Sequence, residues 1–327
     1  MLAYRIQHHY SATMTSHARL RAAWARTPGP MRGALFMMIS AMSYALMAGT
    51  IRHLADHLHP FEVAFFRNLF SLLLMAPWVL RTGFSGLQTS NIRKYGLRGL
   101  TSIVAMLCWF YGLATMPIAE ATALSFTAPI FASIAAIFFL GERMGVRRWG
   151  AIIVGFTGAM IILRPGLSSI SLSAVVVLCG SIAVAGSIVM VKILSRTEPS
   201  SLIVAYMVIY LVPMSLIPAL FFWVTPSGND WFWLIFIGVV ATAGQLGITF
   251  AYASTDATVV LPFDYARLPF AALVGYLAFD QSPDLWTWIG AAIIAGSAIY
   301  IARREANLAR AKLKLPATPL VEVERAL

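Results

Sequence analysis

The feature that most constrains this chain is a series of apolar segments, each about 20 residues long and so able to cross a bilayer core. Ten can be placed, at about 33–51, 61–80, 96–115, 117–140, 149–164, 172–193, 201–223, 231–253, 257–279 and 285–302. The connections, such as "ATMPIAE", "RPGLSSIS" and "TPSGND", leave no room for a soluble domain between them. An ordinary soluble domain carries roughly 25% charged residues; this chain has 11%, against 59% hydrophobic, with a mean hydropathy of +0.78. There is too little polar surface to coat a water-soluble globule. Strand-length alternation is absent, which argues against a membrane β-barrel. The expected class is an all-α membrane protein with ten transmembrane helices.

The distribution of positive charge orients those helices. With the N-terminus inside, the inner segments hold eighteen Lys and Arg residues, among them Arg32, Arg81, Arg98, Arg143, Lys192 and Arg303. The outer segments hold only Arg52 and Arg164. Both termini are therefore expected in the cytoplasm, with the protein in the cytoplasmic (inner) membrane. The net charge of +11 is a topology signal, because the charges are dispersed over many loops and form no nucleic-acid patch. The first 30 residues are basic and mostly polar, which argues against a cleaved secretory signal. Cys108 and Cys179 both fall within spans, where neither a disulfide framework nor a Cys-based zinc site is plausible.

The second half of the chain repeats the first. "SFTAPIFASIAAIFFLGERMGVRRWGAIIVGFTGAMIILR" (125–164) aligns with "YARLPFAALVGYLAFDQSPDLWTWIGAAIIAGSAIYIARR" (265–304) at an offset of 140. Pro129 then meets Pro269, Gly150 meets Gly290 and Arg164 meets Arg304. Five spans per half is an odd number, so the halves are expected to have opposite orientations. Inverted repeats suit alternating access around a site near the midplane. The resulting division is a cytoplasmic N-terminal segment (1–32), two five-helix repeats (33–168 and 169–303) and a basic cytoplasmic tail (304–327).

On these residues, above all "ALSFTAPIFASIAAIFFLGERMGVRRWGAIIVGFTGAMIILRPG", the chain resembles the drug/metabolite transporter superfamily, specifically proteins with two EamA domains. The resemblance spans roughly residues 33–303. It implies ten helices, cytoplasmic termini and secondary transport of small organic metabolites through a central cavity. Members similar to this chain are associated with amino acids, nucleosides, riboflavin, S-adenosylmethionine or drugs. One departure stands out: "FDQSPD" replaces the "LGER" turn in the second half, with Asp280 in place of an acid like Glu142.

Charged residues inside apolar spans mark the candidate site, since each costs about 2.5–3.5 kcal/mol near a helix centre. Asp264 and Arg267, in "LPFDYARLPF", are three apart and share a helical face. They are either a self-neutralised buried pair or the wall of a wet cavity, and the cavity is the preferred reading. Pro262 and Pro269 remove backbone donors and so free the carbonyls of Thr258 and Tyr265; Pro129 does the same for Ser125. Those prolines either simply kink the helices or expose carbonyls to a ligand. Spans 4 and 9 are cavity walls in both cases. Arg67 lies deep in "EVAFFRNLF", as a cavity residue or as a snorkelling arginine. Glu62 and Glu120 are expected to be solvent-exposed near the outer ends. In "CWFYG", Trp109, Phe110 and Tyr111 cannot all face one way: one or two would stack on a substrate ring, unless they are interface anchors. Tyr252, Gln245 and Tyr44 are weaker candidates of the same kind. Gly155, Gly158, Gly290 and Gly296 are expected to permit close helix packing.

Paired guanidiniums suit a carboxylate or phosphate, and Asp264 would accept an ammonium or carry a coupling proton. The expected substrate is an amino-acid-like zwitterion or an anionic, ring-bearing metabolite. Expected partners are that small molecule, the lipid bilayer and protons as coupling ion; a homodimer is left open, and no nucleic acid is expected. No cofactor or catalytic residue is assigned. The histidines in "RHLADHLHP" lack an HExxH glutamate, so no metal is expected. Walker, nucleotide-binding and nucleophile-elbow motifs are missing. The alternative from another class is an intramembrane enzyme acting on a lipid-linked substrate with Asp264 as base.

Overall fold

The computed structural model describes residues 28–82, 89, 91–141, 146–163, 171–195, 197, 198, 200–254, 260 and 263–314. Most of the N-terminal segment, the end of the tail, Glu142, Arg164, Thr258 and Pro262 lie outside the described residues. Among the described residues, eleven helices follow one another: α1 (Gly29–Leu54), α2 (Pro60–Thr82), α3 (Ile92–Thr115), α4 (Ile118–Ser125), α5 (Ala128–Leu140), α6 (Val146–Leu163), α7 (Leu172–Leu194), α8 (Ser200–Leu220), α9 (Asp230–Ser254), α10 (Arg267–Phe279) and α11 (Leu285–Lys314). α1, α3, α7, α9 and the α4–α5 stretch are each long and apolar enough to cross a membrane. Phe138, Phe139, Ile153 and Leu277 point outward and are mostly exposed. Exposed apolar surface on this scale requires lipid to cover it. The chain is an integral membrane protein.

Local chemistry explains several helix ends. Ser171 caps α7, its hydroxyl accepting from the Ala174 N–H at 3.2 Å. α5 ends on Gly141 in the left-handed region (φ +66°), as helices that stop abruptly commonly do. α10 ends the same way on Asp280 (φ 54°), the one non-glycine with positive φ among the described residues. Asp280 therefore takes the place of Gly141, not of Glu142. α5 and α10 each have 13 residues, and their bounds and caps correspond at an offset of 139 rather than 140. The offset of 140 aligned the prolines; Pro129 is the second residue of α5, whereas Pro269 is the third of α10.

The principal helix pairings are kept when the two halves are exchanged. α1 packs along α9 as α7 does along α3, α2 meets α9 as α8 meets α3, and α5 meets α7 as α10 meets α1. α6–α11 and α2–α8 pair counterparts with each other. Both of these pairs run antiparallel. A Cβ on Gly155 would meet Ser297, one on Gly158 would meet Ile294, and one on Gly290 would meet Ile162, so numbers rise on α6 as they fall on α11. Along α2, Glu62 meets Val224 just past α8, while Asn68 meets Ser215. The α6–α11 approach depends on glycine. A Cβ at Gly158 would lie 2.8 Å from the Gly290 carbonyl oxygen, and one at Gly290 would lie 2.6 Å from that of Gly158. Gly296, expected to serve the same purpose, faces open space.

Candidate functional site

Two broken helices supply the centre of the molecule. Between α4 and α5 the chain passes through Phe126 and Thr127, whose N–H groups donate to Ala123 and Leu124. These are three-residue steps, tighter than α-helix. Before α10 the chain does the same: Ala266 donates to Phe263 and Leu268 to Tyr265. The Tyr265 carbonyl, expected to be freed by Pro269, is thus engaged at 3.1 Å by the Leu268 N–H. The breaks face one another, with the rings of Phe126 and Tyr265 4.7 Å apart and edge-on. Phe126, at the 139 offset from Tyr265, is the counterpart that the proline alignment had given to Ser125.

A cavity of about 510 Å³ opens at this junction, within the roughly 300–1,000 Å³ of small-molecule sites. Both halves line it. Its polar end holds Tyr44, Arg67, Gln245, Asp264, Tyr265 and Arg267. Met106, Trp109, Phe110, Val184 and Met207 form a largely apolar wall, interrupted by Ser102, Ser181 and Ser187.

Arg267 opens α10. Its Nη2 donates to Asp264 Oδ1 at 2.6 Å, with side chains 19% and 27% exposed. Its guanidinium carbon lies 4.7 Å from the centre of the Tyr44 ring, a cation–π distance. The Tyr44 hydroxyl donates to Gln245 Oε1 at 3.2 Å. Arg67 Nη1 donates to Asn68 Oδ1 at 2.8 Å, and Asn68 in turn donates to Ser215 at 3.2 Å. The site thus holds two guanidiniums around one tyrosine, with a single carboxylate bonded to one of them. The Nε atoms of Arg67 and Arg267 and the indole nitrogen of Trp109 are buried without partners.

Seven of the nine residues picked from sequence line this cavity: Arg267, Asp264, Arg67, Trp109, Tyr265, Ser125 and Gln245. Tyr44, a weaker candidate, sits at its centre. Tyr111 and Tyr252 are not among the lining residues, and Tyr252 is exposed on α9. Helical phase separates Tyr111 from Trp109, as the three-aromatic run required. Sequence reading missed Phe126, Ser181 and Met207, since single apolar or small residues within apolar spans give no signal. Glu62, expected at the surface, is fully buried. Its position six residues before Asn68 packs it between α2 and the end of α8. Arg98, counted among the inner-loop charges, is buried too; it donates to the Ile203 carbonyl and to Met207 Sδ. Among the described residues no group of three His, Cys, Asp or Glu could hold a metal. His53 lies edge-on to Trp233 at 5.0 Å, and His59 stacks on Phe222 at 4.0 Å.

An all-helical membrane bundle built from two similar halves, with a polar cavity in the seam between them, defines a membrane transporter. The comparisons agree: residues 31–164 and 171–303 each match the profile of the EamA-like transporter family, and the chain belongs to that family. It is similar to a riboflavin transporter of Vibrio cholerae, 33% identical over 86% of this chain and 98% of that one. It is also similar to an S-adenosylmethionine uptake transporter of Rickettsia prowazekii, 31% identical over 83% of this chain and 92% of that one. A pseudopaline exporter of Pseudomonas aeruginosa is 29% identical over 83% of this chain and 96% of that one. A protein crystal structure superposes with a TM-score of 0.54 at 19% identity, covering 84% of this chain and 98% of that one, a likeness of fold alone. The chain is a small-metabolite transporter and not an enzyme.

Proposed function

We propose that the chain is a secondary transporter of an amino-acid-like zwitterion or an anionic, ring-bearing compound, working by alternating access in the cytoplasmic membrane. Ten spans in two inverted five-helix repeats, with both termini cytoplasmic, carry the movement. The antiparallel packing of α6 with α11 and of α2 with α8 supports the inversion, and the eighteen-to-two charge bias supports the orientation.

The observation that carries the reading is the Asp264–Arg267 pair with Arg67 in a cavity lined by both halves. Two guanidiniums against one carboxylate leave an excess of one positive charge, which a carboxylate or other anionic group on the substrate neutralises. Such a group competes with Asp264 for Arg267. Asp264, released from Arg267, serves as the proton carrier that couples substrate to proton movement. Trp109 and Tyr265 offer ring faces to an aromatic body. Among the relatives' named substrates, riboflavin brings an acceptor-rich ring and S-adenosylmethionine an amino-acid carboxylate.

The test is uptake of labelled riboflavin, S-adenosylmethionine and neutral amino acids into liposomes holding purified protein. Saturable accumulation of an unaltered solute is expected. Arg267→Ala should abolish it with the protein still inserted, and Lys should restore less than its charge alone would. Wild-type rates in a well-inserted Arg267→Ala protein would remove Arg267 from the site.

A further inference from the structure

Two glutamates tie the halves together, and they do so in opposite surroundings. Glu62, in the first turn of α2, accepts the Val224 N–H at 3.1 Å through Oε2. Val224 lies just past α8, in the other half. Glu198, just before α8, accepts from Asn91 at 2.6 Å and Thr89 at 2.7 Å, which precede α3 in the first half. The two links are counterparts. Each joins a glutamate at the start of one half's second helix to the connection following the second helix of the other half. By the charge count, the Glu62 link is at the outer face and the Glu198 link at the inner face.

The inner link is wet. The side chains of Asn91 and then Thr89 hold the Glu198 carboxyl below its ordinary range, so it remains ionised whether the contact is made or broken. The outer link is dry. Glu62 is 0% exposed, and its Oε1 is buried with no hydrogen-bond partner. Phe65 and Phe66 of α2 pack against Trp223 beside it.

Among the described residues no cation compensates that carboxyl. On its own N-terminal turn, His59 is stacked on Phe222, its Nδ1 accepts the Phe61 N–H at 3.3 Å, and burial pushes its pKa down. It is neutral at physiological pH. From α9 comes only Asp230, a like charge, held by the N–H and hydroxyl of Ser227 at 3.0 and 3.2 Å. On α1, Arg52 donates to the Ala114 carbonyl and His53 lies against Trp233. Farther along α2, Arg67 is bonded to Asn68. Of the titratable groups of α3 and α8, Tyr95, Arg98, Tyr206 and Tyr210 cluster at the opposite end of those helices, and Tyr111, toward the outer end of α3, brings a phenol and no cation. A carboxylate in such a place would be a dry, half-satisfied charge. As a neutral acid, it keeps its acceptor bond to Val224 and carries its own proton.

We propose that Glu62 is a proton-binding site that locks the outer face: protonated while α2 and the end of α8 are together, and ionised when they part and water enters. The proton passes to water on the outer side. This rests on the alternating-access reading above but not on any substrate or on Asp264. The closed outer face then holds one more proton than the open one. The closed-to-open ratio should fall about tenfold per pH unit above an ordinary carboxyl value near 4.3, until the buried group itself titrates.

The experiment measures distances between spin labels in full-length protein with Cys108→Ala and Cys179→Ala, in phosphatidylethanolamine–phosphatidylglycerol nanodiscs from pH 5 to 9. One pair, His57→Cys with Asn229→Cys, reports the outer face; another, Arg93→Cys with Thr197→Cys, reports the inner. Otherwise wild-type protein should shift from a short to a long outer distance as pH rises, with a one-proton slope. Glu62→Gln, which keeps the Val224 acceptor, should hold the short distance at every pH and match wild type at pH 5. Two populations that ignore pH, or that titrate alike in both proteins, would overturn the proton site and leave alternating access standing. A single population at both faces under all conditions would overturn both.

Discussion

Asp264→Asn leaves the Arg267 guanidinium charged, four-fifths buried and facing an amide. Breaking a fully buried ion pair costs about 3–5 kcal/mol. This pair borders a cavity and keeps 19% and 27% of its side-chain surface exposed, so the cost falls to that of a hydrogen bond to a charged group, about 2 kcal/mol. Arg267→Gln strands the wetter Asp264 at about 1 kcal/mol and also loses the contact with Tyr44, worth about 1 kcal/mol more. The double mutant strands neither charge and loses only the Tyr44 contact, about 1 kcal/mol. The coupling between the two positions is then about 3 kcal/mol. Reversible chemical unfolding in detergent, followed by tryptophan fluorescence, measures it. Transport should not follow stability: the double mutant is nearly as stable as wild type yet inactive. An additive cycle would refute the coupling, and wild-type transport by the double mutant would make the pair structural only. Asp264→Asn alone should lose dependence on a pH gradient; unchanged pH-driven accumulation would sink its role as proton carrier.

The α6–α11 contact predicts that Gly158→Ala destabilises by about 1–3 kcal/mol, because its Cβ would meet a backbone oxygen that cannot move alone. Gly296→Ala, with nothing within 4 Å, is the control and should be neutral or stabilising in the same unfolding assay. Asp280→Gly should add up to about 1 kcal/mol, since glycine adopts the left-handed C-cap without the Cβ penalty. At the inner face, the depressed pKa of Glu198 means that the bonds from Asn91 and Thr89 contribute fully above the ordinary carboxyl value near 4.3 and are lost as pH falls through the lower folded one. Unfolding midpoints of wild type and Glu198→Gln should therefore converge below about pH 4; a constant difference across that window would contradict it.

Charge and apolar length alone determined that this chain lives in a membrane, because both follow from the cost of placing polar groups in hydrocarbon. The same cost made Asp264, Arg267 and Arg67 visible as site candidates: a charge inside an apolar span stands out whatever the fold. Prolines and glycines marked the broken helices and the close helix pair for equally local reasons. What tertiary structure decided was which faces meet. Phase along a helix separates Trp109, in the cavity wall, from Tyr111, outside it, and only packing against α7 sets that phase. Glu62 and Glu198 are alike in sequence, each within a few residues of where the second helix of its half begins. Phe66, Trp223 and Val224 make one of them dry, while Thr89 and Asn91 leave the other in water. Apart from Phe66, those partners come from more than 100 positions away, so no local pattern could distinguish the two.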